Sequence, residues 1–172
     1  AGADALLLPM VNSAAEATDL VAAIKYPPEG VRGVALGFAH DRYTGGDAKA
    51  KLTAANQKTV LIPLIETSAG LDAVEAIAKV NGVDGLWIGH FDLSASMGIP
   101  GAFDDPRFLA AVDRIAAAAK AADIPLCQLV GSADDGRQMI AKGFHMICYG
   151  IDSGLLRDAL AAGISQIRAG ST

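Results

Sequence analysis

Five short apolar runs alternate along the chain with stretches in which apolar residues recur every three or four positions. Ala5 to Val11, Thr59 to Ile65, Gly85 to Gly89, Pro125 to Val130 and Met146 to Tyr149 are bounded by turn residues and read as strands. They are too continuously apolar for a sheet with one wet face, which predicts parallel strands covered on both sides. Pro9 and Pro63 each remove a ladder donor, so both are expected near strand ends.

The intervening stretches carry helix signals. Ser13 with Glu16 three residues on forms a capping box for a helix to about Ile24, with Leu20, Val21 and Ile24 facing the sheet. Leu71, Val74 and Ile77 space a second helix that ends at Asn81-Gly82. Asp105-Pro106 opens a third, with Phe108, Leu109, Val112 and Ile115 as its stripe. Ser132 starts a fourth with Met139 and Ile140 inward and Gly143 at its end, and Leu155, Leu156, Leu160 and Ile164 line a fifth.

Tyr26 to Lys58, between the first helix and the second strand, begins as a loop at PPEGVRG and includes a short polar helix within Gly46 to Gln57. A connection this long serves a site or a partner subunit, or is a solvated insertion. Five βα units fit an open doubly wound sheet or part of a (β/α)8 barrel, which typically takes ~250 residues. On the barrel reading the 172-residue chain, which does not begin with Met, is one partial domain over residues 1–172 lacking the first three strands. Its edge strand and apolar interior then need further strands to close over them.

Composition narrows the function classes. At 52% hydrophobic and 19% charged, the chain can bury ~70% of its unfolded surface, which excludes a disordered tail. No run approaches the ~18 apolar residues of a membrane span and no charged leader precedes an apolar segment, so no membrane partner and a cytoplasmic location are expected. Fourteen Lys and Arg, scattered against nineteen Asp and Glu, give a net charge of -5 and argue against nucleic acid. Cys127 and Cys148 lie in apolar strand-like runs and are expected as buried free thiols.

In parallel α/β folds ligands bind at the carboxyl ends of the strands. Two carboxylates stand there: Glu66 after TVLIPLI, and Asp92 within GHFDLS. Either they share a cation such as Mg²⁺ or Mn²⁺, or each caps a helix or pairs with an arginine. Gly82, Gly85, Gly89, Gly98 and Gly101 cluster in the same stretch, as turn formers or to let amides approach a small anion. No GxGxxG or GxxxxGK[ST] is present, and no serine or cysteine has the setting of a hydrolytic nucleophile. His90, two residues before Asp92, is a candidate base or hydrogen-bond donor, whereas His40 and His145 read as loop or surface residues.

GADALLLPMVNSAAEA, KYPPEGVRG and IPLIETSAGLDAVEAIAKVNGVDGLWIGHFDLSASMGIPG, in this order, resemble the HpcH/HpaI class II pyruvate aldolases. The resemblance covers essentially the whole chain and rests on the IET and GxxDLSxSxGxPG segments together. It implies a (β/α)8 TIM barrel in which Glu66 and Asp92 hold a divalent metal, Mg²⁺ or Mn²⁺ with Co²⁺ as a further option. The metal would chelate a 2-oxo acid and act as Lewis acid in reversible aldol cleavage of a 4-hydroxy-2-oxo acid to pyruvate or hydroxypyruvate and an aldehyde. It further implies carboxylate binding through the backbone at Phe91 and Asp92, no Schiff-base lysine, and a homo-oligomer, commonly a hexamer with exchanged C-terminal helices.

Three features depart from the family pattern. Leu64 occupies a position where many members have a substrate-contacting Gln, and GHFDLS replaces the commoner GPADLS, which puts His90 and Phe91 at the mouth. The family's general-base His and its enolate-stabilising Arg belong to segments upstream of Ala1, so neither role passes to His40, His90 or Arg42. Two other readings stand beside the aldolase: a catalytically incompetent scaffold that keeps metal and oligomer contacts, and a citrate-lyase-like C–C lyase acting on a CoA thioester. Against the latter, the long loop has no evident basic patch for adenine phosphates.

Overall fold

A computed structural model describes residues 2–169, which form two compact units, up to Cys127 and from Gln128 onward. In the first unit β1 (Ala5–Leu8), α1 (Ala14–Ile24), α2 (Ala48–Lys58), β2 (Val60–Ile65), α3 (Ser68–Asp72), α4 (Val74–Ala78), β3 (Leu86–Ile88), α5 (His90–Ser96) and α6 (Pro106–Ala121) lead to the start of β4 (Leu126–Val130). Successive strands are parallel neighbours: Leu6 pairs with Leu61, Ile65 with Ile88, and Trp87 with Cys127. Leu61 and Ile65 of β2 and Leu86 and Ile88 of β3 are fully buried, as expected for strands covered on both faces, with Ile77, Leu93 and Ile115 buried on the helices, whereas β1 has no buried residue and its Leu7 is exposed.

Strand β1 ends at Leu8 rather than Val11, because Pro9 cannot donate and Met10 turns into the left-handed region at φ 57°. Pro63 lies inside β2, not near its end. Leu61 N–H donates to Asp84 Oδ2 and Ile65 C=O accepts from Gly89 N–H, so the odd positions of β2 address β3. Pairing with β3 begins only at Leu64, one residue past the missing donor, and the proline breaks no ladder bond.

The caps at Ser13, Asp105 and Ser132 form, each side chain accepting a first-turn N–H at 2.8–3.1 Å. Glu16 closes its box one residue early, accepting from Asn12 N–H at 2.7 Å. The expected single helix through Leu71 and Ile77 is split at Ala73 (φ −101°, ψ 4°). There Ala76 N–H bonds Ala73 C=O, and the Asp72 carbonyl accepts from Arg114 instead.

Phe108, Ala111, Ile115, Ala118 and Ala119 form the buried stripe of α6, while Leu109, one step around the helix, is exposed. The ends of the long connection are joined by Asn56, which exchanges two hydrogen bonds with the Tyr26 backbone at 2.7 and 2.9 Å. The buried Lys25 ammonium donates to the carbonyls of Asn56 and Thr59, both at 2.6 Å. Arg32 stacks 4.4 Å above the Tyr26 ring.

The second unit holds the rest of β4, α7 (Ala133–Ala141), β5 (Met146–Tyr149) and α8 (Asp152–Ala169). Gly136, the buried position of α7, lets the helix approach Val130 and Ile147. Met139 is half-buried but Ile140, expected inward, is 62% exposed. Leu155, Leu156, Leu160 and Ile164 are all exposed along α8. Cys127 is a buried free thiol, and Cys148 is free but only half-buried because β5 is partly open. No helix among the described residues is long and apolar enough to cross a membrane.

Candidate active site

Three turns converge at the carboxyl ends of β1, β2 and β3. Glu66, the first residue after β2, is 5% exposed, and its Oε1 accepts from Met10 N–H at 2.7 Å across 56 residues of chain. Met10 takes up a left-handed conformation, which costs about 1–2 kcal/mol for a residue with a Cβ and is here coupled to aiming its N–H at the carboxylate. Asn12 holds the turn, its Nδ2 donating to Met10 C=O at 2.6 Å and its Oδ1 accepting from Thr67 Oγ1. Thr67 also caps α3 through Gly70 N–H at 2.9 Å. Gly70 is required there, since a Cβ would lie 2.6 Å from Val11 O.

The third turn is built around Gly89, between β3 and α5. A Cβ at this position would stand 2.5 Å from both Cβ and Oε2 of Glu66, so only glycine lets the start of α5 lie against the carboxylate. Asp92 sits in the first turn of α5, exposed, and is not its N-cap. The fully buried Ser94 ties the helix to the turn beyond it: its Oγ donates to Phe91 C=O at 2.8 Å and accepts from Gly101 N–H at 3.0 Å. Ser68 and Ser96 tie the second turn to the end of α5, Ser68 N–H donating to Ser96 Oγ at 2.9 Å.

Among the described residues neither Glu66 nor Asp92 pairs with a lysine or arginine, and Thr67 rather than Glu66 caps the next helix. A buried carboxylate with no cationic partner, held through one oxygen and close to a second carboxylate-bearing turn, suits a hard divalent ion with oxygen ligands. No group of three or more His, Cys, Asp or Glu that could hold a metal occurs among the described residues.

Leu64, half-buried, shares its face of β2 with Glu66. His90 is half-buried at the start of α5, where burial pushes its imidazole below the usual histidine range against the opposing pull of the Asp92 carboxylate. Phe91 is 64% exposed. Of the glycines expected to share this edge, only Gly89 adjoins Glu66. Gly82 packs on Val21 and Gly85 on Pro125, both before β3, and Gly98 and Gly101 shape the turn after α5.

His40 lies in the long connection, with its Nε2 buried and unpaired, and Arg42 adopts φ 57° there. His145 precedes β5 in the second unit. Met10 and Gly89, which meet at Glu66, are not brought together by any pattern along the sequence. Only Gly89 carries a local signal, a glycine at a strand-to-helix junction.

The sequence profile of the HpcH/HpaI aldolase/citrate lyase family matches residues 1–159. The chain is 39% identical to the hydroxypyruvate/pyruvate aldolase of Pseudomonas aeruginosa, over 99% of this chain and 63% of that one. It is 38% identical to the 4-hydroxy-2-oxovalerate aldolase of Rhodococcus jostii, over 96% and 64%. The crystal structure of an HpcH/HpaI aldolase/citrate lyase family protein from Burkholderia cenocepacia superimposes with a TM-score of 0.88 at 30% identity, covering 97% of this chain and 66% of that one. The chain thus spans just under two thirds of the curated relatives it matches, and the fold is part of a (β/α)8 barrel rather than an open doubly wound sheet.

Proposed function

The chain belongs to the HpcH/HpaI aldolase/citrate lyase family, and from that premise we propose that it carries the metal half of a divalent-metal aldolase site. Glu66 and Asp92 would hold Mg²⁺ or Mn²⁺, with Co²⁺ a third option, and the reaction is reversible cleavage of a 4-hydroxy-2-oxo acid to pyruvate or hydroxypyruvate and an aldehyde. A bound divalent ion supplies Lewis-acid polarisation of the 2-oxo group. The observation that carries the reading is the burial of Glu66 without a cationic partner, its Oε1 fixed by Met10 N–H and its Oε2 on the side of Gly89.

The chain's own groups would bind and orient the substrate. The N–H groups of Phe91 and Asp92, in the first turn of α5, have no intrahelical acceptor and suit the 2-oxo-acid carboxylate. Leu64 presents an apolar surface on the Glu66 face of β2, and His90, two residues before Asp92 in the first turn of α5, would serve as a hydrogen-bonding neighbour of the site. No described histidine is given the role of general base.

The curated relatives are named as aldolases, which supports aldol cleavage over lysis of a CoA thioester. The exposed Leu155, Leu156, Leu160 and Ile164 of α8 suit burial against another copy of the chain in a homo-oligomer, a hexamer on family resemblance, and the cytoplasm is the proposed location.

Calorimetry with Mn²⁺ on the full-length protein, its Glu66→Ala and its Asp92→Ala forms tests the site, and turnover of several 4-hydroxy-2-oxo acids tests the reaction. Binding lost in both variants together with turnover in the wild type is expected. Metal binding without cleavage, addition or enolisation would favour a catalytically incompetent scaffold, and equal Mn²⁺ affinity in all three proteins would remove the site itself.

A further inference from the structure

The groups at the start of α5 that metal and carboxylate binding do not use are aromatic. Phe108, 5% exposed in the core, touches Phe103 at 5.4 Å between ring centroids, and Phe103 meets Phe91 edge-on at 5.0 Å. His90 contacts both, at 4.8 Å to Phe91 and 5.2 Å to Phe103. A continuous file of rings therefore runs from the core to solvent and ends on Phe91, the neighbour of Asp92 in the same helical turn. Each edge-to-face contact is of the kind that fixes ring orientation, so the outermost ring is held in place although 64% of Phe91 is exposed.

The charges around this surface constrain what could rest on it. Arg107, at the start of α6, is engaged twice by Asp105, at 2.8 and 3.1 Å. Among the described residues no lysine or arginine stacks on the rings of His90, Phe91 or Phe103, and the carboxylates of Asp92 and Asp104, each next in the chain to one of these phenylalanines, would repel an anion. A hydroxylated group would leave its hydroxyls facing the Phe91 and Phe103 rings, which offer no donor or acceptor, with only the half-buried His90 imidazole able to hydrogen-bond beside them.

Resting on the aldolase reading above, we infer that Phe91 and Phe103 form an apolar rim beside Asp92 that receives the aldehyde's substituent and selects alkyl or aryl aldehydes over hydroxylated or carboxylate-bearing ones. Phe91 supplies the contact surface, and Phe103 is a positioning residue that holds it against the core. Leu64, an apolar side chain on the Glu66 face of β2, extends the same character into the site.

The test is aldol addition by the full-length protein with Mn²⁺ and pyruvate, taking kcat/KM for hexanal and benzaldehyde against glyceraldehyde and glyoxylate. The ratio is measured in wild type, Phe91→Ala and Phe103→Ala, so any loss common to all aldehydes cancels. Wild type is expected to favour the apolar pair, and each variant to lower that ratio by about tenfold or more, as losing an apolar pocket contact does. A wild-type preference for glyoxylate or glyceraldehyde, or a ratio unchanged in both variants, overturns the inference.

Deuterium exchange at the pyruvate methyl group, run without aldehyde, separates the two levels. Exchange with an unchanged ratio removes only the aromatic rim, whereas neither exchange nor turnover in wild type removes the aldolase reading with it. An altered oligomeric state by light scattering with an unchanged ratio would assign Phe91 to a subunit contact instead.

Discussion

Replacing Gly89 by alanine tests how the chain holds its buried carboxylate. Gly89 has φ −84°, which any residue can adopt, so the substitution probes space alone. The new methyl would lie 2.5 Å from both Cβ and Oε2 of Glu66, about 1 Å inside normal van der Waals separation. Rotating the Glu66 side chain cannot relieve the contact with its own Cβ, so backbone must move.

That backbone is tied at both ends. Gly89 N–H donates to Ile65 C=O at 3.2 Å, and Gly89 C=O accepts from Leu93 N–H at 2.8 Å. Overpacking of this kind costs ~1–3 kcal/mol, and shifting Glu66 also weakens the charge-assisted bond from Met10, a class worth ~1.5–3 kcal/mol. We expect the urea midpoint to fall by the equivalent of about 2–3 kcal/mol and the Mn²⁺ Kd to rise by about tenfold or more. Gly85→Ala is the control: its Cβ would meet Pro125 O at 3.1 Å, before β3 and away from Glu66, so it should leave Mn²⁺ affinity unchanged. Wild-type Mn²⁺ affinity in Gly89→Ala, with or without a loss of stability, would refute the reasoning.

Lys25→Met should destabilise the fold by about 3 kcal/mol in urea unfolding, because two buried carbonyls, of Asn56 and Thr59, lose their ammonium donor; a loss below about 1 kcal/mol would contradict this. The Arg114 guanidinium holds the Glu75 carboxyl at about 2, below its ordinary 4.5, so the pair's contribution is complete above about 4.5 and fades as pH falls toward 2. Both side chains are 41–49% exposed, so solvent screening keeps that contribution small. Wild type and Glu75→Gln should accordingly differ in stability at pH 7 and converge at pH 2, and a gap that widens on acidification would reverse the sign. Burial pushes the Cys127 thiol up to about 11, so iodoacetamide at about pH 8 should leave it unmodified in the folded protein while urea exposes it; rapid native-state alkylation would contradict the burial.

The elements and their order are legible in the chain itself. Continuous apolar runs, proline and the caps at Ser13, Asp105 and Ser132 act through contacts within a few residues, so the pattern that encodes them is visible along the sequence. Glu66 and Asp92 stand out as candidates for the same reason, each lying just beyond a strand. Which helical faces are buried is only partly legible, because Leu109 and Ile140 fit an apolar stripe by type while smaller neighbours, Ala111 and Gly136, take the close-packed positions. Spacing cannot distinguish a leucine that packs from one the neighbouring element leaves outside.

The surroundings of the carboxylates, by contrast, come from the tertiary structure alone. The Met10 N–H that holds Glu66 comes from 56 residues away and requires a left-handed methionine. The space for the carboxylate is the missing side chain of Gly89. The ring file depends on Phe103 returning from the loop before α6 to meet Phe91. Each arises where separate turns meet, and that meeting is set by the parallel register of the strands below them, a relation among distant residues that no local pattern in the chain records.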